Sequence, residues 1–85
     1  MSRTISSTVL PIQQVMAGAT PTAWRDGVVL EASDRELSVA FLDGGVMRLQ
    51  TFDAFAGLSV GEPVAFHPVA EILDVRSVAT TARVV

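Results

Sequence analysis

Between Glu36 and Phe52 the sequence alternates on both sides of one turn. Leu37, Val39 and Phe41 fall on one face of the first run and Ser38 and Ala40 on the other. After Asp43-Gly44-Gly45, Met47 and Leu49 oppose Arg48 and Gln50. A period of two is what a half-buried antiparallel strand needs, because successive side chains leave the sheet on opposite sides. The paired glycines suit a turn that requires positive φ, where a Cβ is costly. This hairpin commits the centre of the chain to an all-β protein.

Further strands follow from the same signals. Thr4 to Leu10 is β-branched and hydroxyl-rich and stops at Pro11, which reads as an edge strand. Val28 to Ala32, led in by Trp24-Arg25-Asp26-Gly27, is a second strand, turned by Ser33-Asp34-Arg35 into the central hairpin. Val64 to Phe66, Ala70 to Val75 and Ser77 to Val85 complete the set, with Leu58-Ser59-Val60-Gly61-Glu62-Pro63 as a tight turn before them. Ile12 to Ala19 has helical spacing at Ile12, Val15 and Met16, and reads as a short helix or a covering loop. Asp53 can cap a single helical turn over Ala54, Phe55 and Ala56. The expectation is one domain over residues 1–85: a small SH3-like or OB-like barrel of six or seven short strands with room for one short helical turn. Its core is expected to comprise Leu37, Val39, Phe41, Met47, Leu49, Val64, Phe66 and Ile72.

With 85 residues, so small a domain buries only somewhat over ~60% of its unfolded surface, yet 49% of its residues are hydrophobic. That excess predicts apolar surface turned toward a partner. Cysteine is absent, so packing alone must stabilise the chain. No run reaches the roughly 18 apolar residues of a membrane helix and the first residues lack a signal-peptide core, so a soluble cytoplasmic protein with no membrane contact is expected. Six arginines stand singly among nine carboxylates, for a net charge of −3. Nucleic-acid affinity rests on clustered cations that neutralise phosphates, so this balance disfavours it.

From Gly27 to Val75 the pattern of Gly-x-Val, the Phe41-Leu42-Asp43-Gly44-Gly45 hairpin end and Leu58-Ser59-Val60-Gly61-Glu62-Pro63-Val64 resembles several small barrels. The hairpin is similar to KOW-like and Tudor-like modules; the later stretch resembles TOBE domains and the OB-like chaperones of hydrogenase maturation. Those chaperones carry a functional cysteine after the initiator methionine. Ser2 stands there in this chain, which removes that activity. The TOBE resemblance implies an oxyanion bound at a subunit interface, with the hydroxyls of Ser2 to Thr8 as available donors.

No catalytic constellation emerges. His67 is the single histidine, readable as an outward strand residue or as one half of a pair with Glu71 or Asp74 across a hairpin. The serines lack a nucleophile elbow, and Gly44-Gly45 is a turn rather than a phosphate loop. Neither a metal site nor a cofactor is implied, and the expectation is a non-enzyme. Candidate contact residues are Trp24 and Arg25, since such side chains are enriched in interface hot spots, and the pair Phe52 and Phe55. Val78 and Val84 join them. Their segment, 77–85, has apolar residues on both faces and little charge, so it is expected to pair with another subunit rather than lie as an open edge. The functional expectation is therefore a non-catalytic interaction module that forms a homo-oligomer, most simply a dimer, or docks on a partner protein. The alternative is a TOBE-like oxyanion carrier.

Overall fold

The computed structural model describes residues 4–5, 9–52, 58–76 and 78–85. Among the described residues are seven strands: β1 (Thr4–Ile5), β2 (Arg25–Ala32), β3 (Glu36–Phe41), β4 (Val46–Thr51), β5 (Pro63–His67), β6 (Ile72–Val75) and β7 (Val78–Val84). A helix, α1 (Pro11–Ala19), and a 3-10 turn (Pro21–Ala23) separate β1 from β2. Six strands close in the order β7-β4-β3-β2-β5-β6, with β6 pairing back onto β7, and every pair in this ring is antiparallel. β1 lies parallel to the start of β7. The expected small β-barrel is thus observed.

The central hairpin has the register its alternation requires, Leu37 opposite Leu49 and Val39 opposite Met47. Gly44 and Gly45 sit at φ 108° and 90°, conformations that L side chains rarely adopt. Val29, Leu37, Val39, Phe41, Leu49, Val64, Phe66, Leu73, Val75 and Ala82 fill the barrel. Six of the eight expected core residues belong to this set, and Met47 packs against it half-buried. Ile72 is buried but not there. It joins Val9, Ala70 and Ala79 in a second cluster on the outer wall, beneath Ala17 and Trp24.

Two layers thus share β6 and β7. Residues 79–82 of β7 are buried without interruption, because one face looks into the barrel and the other meets the covering layer. This corrects the expectation that residues 77–85 need a second subunit: β7 pairs with β6 over 78–81, with β4 over 82–84 and with β1 over 78–79. Barrel closure supplies from within the chain the partners that an open sheet would have sought outside. The segment Pro11–Ala19 resolves as a helix because Pro11 is pre-set for a first helical turn and Gln13 caps it. The capping turn at residues 54–56 lies outside the described residues.

Candidate functional site

The covering layer is fastened by two polar side chains. The Gln13 Oε1 accepts the Leu10 N–H at 2.7 Å, capping α1, while its Nε2 donates to the Ala70 carbonyl at 2.9 Å. The Thr81 hydroxyl, 3.3 Å from Oε1, reaches the same amide from β7. One glutamine thus starts the helix and pins it to the β5–β6 turn. His67 does the equivalent at the far end. Wholly buried, its Nδ1 accepts the Ala70 N–H at 3.0 Å and its Nε2 donates to the Thr20 carbonyl at 2.8 Å. That pattern assigns the neutral tautomer with the proton on Nε2. Trp24 stands edge-on to the imidazole with ring centroids 5.1 Å apart.

So fastened, α1 is inverted relative to an ordinary surface helix, which turns its apolar stripe to the core. Gln13 and Ala17, one turn apart, face the barrel. Ile12, Val15, Met16 and Ala19 share the opposite side and are exposed, Val15 to 65%. Leu10, just before the helix, is also exposed, at 57%. No charged side chain occurs anywhere from Thr4 to Trp24. The layer therefore presents an apolar face flanked along the sequence by neutral residues and fastened by hydrogen bonds on its reverse side.

The residues singled out from sequence are dispersed. Trp24 is half-buried in the second cluster, over a cleft of about 330 Å3 that Val9, Ala17, Ile72 and Ala79 help to line. Arg25 is held by the hairpin tip: its Nε and Nη2 donate to the two carboxylate oxygens of Asp43 at 3.1 and 2.9 Å, Nη2 also donates to the Gly44 carbonyl at 3.0 Å, and the guanidinium stacks 4.1 Å from the Phe41 ring centre. Those hydrogen bonds hold the Asp43 carboxyl below its ordinary range. Phe52 is 45% exposed beneath the Arg83 guanidinium, 5.2 Å from its ring centre. Val78 is half-buried beside β1, Val84 is exposed at the opposite end of β7, and Phe55 lies outside the described residues.

His67 bonds to backbone groups of Thr20 and Ala70, a fastening that sequence reasoning missed, as it missed Gln13. Gln three residues after the residue preceding Pro11 was a legible capping signal; its reach to Ala70, 57 positions away, was not. A second cleft of about 520 Å3 lies at the β2 bulge, where Leu30 and Val60 flank the ion pair of Arg48 and Glu36. Among the described residues no group of three His, Cys, Asp or Glu side chains is placed to hold a metal ion, and no helix is long and apolar enough to cross a membrane. Comparison with known proteins returned no matching family model, no matching curated protein and no matching solved structure.

Proposed function

We propose that this chain is a non-catalytic interaction module whose contact surface is the outward face of α1. The observation that carries the reading is the inversion of that helix. Leaving Ile12, Val15 and Met16 in water while Gln13 faces the barrel forgoes burial worth roughly 1.5–3 kcal/mol for each large aliphatic side chain. A fold that forgoes it keeps the face for something else to cover. The engagement of both His67 nitrogens by backbone groups supports the non-catalytic part of the reading, since a general base needs a free lone pair facing substrate.

A photoreactive amino acid placed at position 15, and at exposed position 48 as a control, tests this in cells that express the protein. Covalent adducts at 15 and none at 48 are expected. Equal labelling at both positions, or none at 15, refutes the reading.

A further inference from the structure

Resting on that reading, we infer that the occupant of the α1 face is a second copy of this chain, packed about a twofold axis that crosses the helix between Val15 and Met16.

Charge selects this occupant. Each copy carries a net charge of −3, so most surfaces brought together would oppose like charges. The described residues of the covering layer, 9–24, include no charged side chain, and there two copies can meet without that penalty. An interface built for a different protein is ordinarily ringed by charges that steer encounter and reject wrong partners. On the rim of this face Gln14, Thr20 and Thr22 are neutral, and Glu71 and Arg83, beside the Gln13 pin, are paired with each other at 3.8 Å. A basic partner or an anionic membrane would find only charges already paired with each other here, and the protein's net charge repels the latter.

Shape agrees. In an antiparallel pairing about the stated axis, Ile12 of one copy lies over Ala19 of the other, large against small at both ends, and Val15 and Met16 meet their counterparts at the centre. At the observed exposures Leu10, Ile12, Val15 and Met16 offer on the order of 300–400 Å2 of apolar surface per copy, the size at which a patch on a soluble protein is commonly functional. Two such faces bury roughly 700 Å2, below the ~1,200 Å2 of stable complexes and in the class of weak, reversible pairs. The expected dimer is therefore weak and reversible.

Sedimentation equilibrium on the full chain, from low micromolar to near millimolar concentration, tests this directly. The weight-average mass should climb from 9.0 kDa toward twice that value. Val15→Asp should weaken association at least tenfold; Val15→Gln, which introduces no charge, should weaken it less; Val84→Asp, at the opposite end of β7, should leave it unchanged. Circular dichroism melts of the three variants should match the parent, since both positions are exposed. A protein that stays monomeric throughout overturns the inference, and so does a dimer that survives Val15→Asp. The composition of the adduct formed by a photoreactive residue at position 15 separates the two levels of the argument. A 15-to-15 adduct of two identical chains supports the inference. An adduct with a different protein, or sedimentation with phosphatidylcholine vesicles, overturns the second copy as occupant and leaves the α1 face as a contact surface. No adduct at all removes both.

Discussion

His67→Ala should release the covering layer while leaving the barrel standing. The side chain is wholly buried: Nδ1 accepts the Ala70 N–H within its own turn, and Nε2 crosses the layer boundary to Thr20 at the end of α1, 2.8 Å from its carbonyl oxygen and 3.1 Å from its hydroxyl. Truncation leaves a buried N–H and a carbonyl without their partners, a loss of about 1–3 kcal/mol. It also removes the edge contact with Trp24, about 0.5–1.5 kcal/mol, and leaves a cavity where the ring had been. Together these come to about 3–5 kcal/mol, against a total stability of roughly 4–13 kcal/mol for a domain of this length. Trp24 is the sole tryptophan and touches the imidazole directly, so its fluorescence reports the layer while far-ultraviolet circular dichroism reports the barrel. In urea the parent should lose both signals together. The Ala variant should lose fluorescence at lower urea than dichroism, and His67→Asn, whose short carbonyl can still accept the Ala70 N–H, should fall between. Coincident transitions in the Ala variant within about 1 kcal/mol of the parent would show that these hydrogen bonds do not hold the layer.

Three further outcomes are expected. Phe41→Ala should cost about 2–5 kcal/mol by equilibrium denaturation, because Phe41 is buried against Phe66, with ring centres 6.4 Å apart, and also supports the Arg25 guanidinium. Gly44→Val and Gly45→Val should each lower the melting temperature through their positive φ, and Gly27→Ala should do so through contact, since an added Cβ would lie 2.7 Å from the Ala40 carbonyl oxygen. Arg25 lowers the Asp43 pKa and Arg76 lowers that of Glu62, in each case chiefly through side-chain hydrogen bonds. A depressed carboxylate stabilises the fold above its unfolded pKa of about 4 and loses that contribution as pH falls through its folded value, so thermal melts should weaken from about pH 4 downward, and Asp43→Asn should remove part of that dependence.

The barrel was legible because its strands write a period of two wherever one face is wet. In β3 and β4 the inward residues Leu37, Val39, Phe41 and Leu49 alternate with polar or small neighbours, and the turn between them announces itself by its glycines. The reading failed where that condition lapsed. Along β7 both faces are covered, so Ala79, Thr80, Thr81 and Ala82 are all buried, and a segment apolar on both sides looked like an edge in search of a subunit. Ile72, expected in the core, is buried toward the helix rather than the barrel axis. The contact surface was hidden for a related reason. Helical spacing of Ile12, Val15 and Met16 states that one side of α1 is apolar but not which way that side points. Gln13 decides the direction through partners far along the chain that no local pattern announces.

The double service of β7 has a consequence for the order in which this protein can come into being. Helix α1 spans 9 residues, too few to persist alone in water. Its floor includes Ile72 and Ala79, and its pins are Ala70 and Thr81. Neither floor nor pins exist until the chain has been synthesised past residue 81. The barrel is under the same constraint, because β4 finds its second neighbour only at residues 82–84. A nascent chain arrested at residue 75 would hold every strand except the one that closes the ring, with the apolar edges of β4 and β6 unpaired. Closure of the barrel therefore waits until residue 84 has been added, and until then the strands already made depend on their surroundings to remain unaggregated.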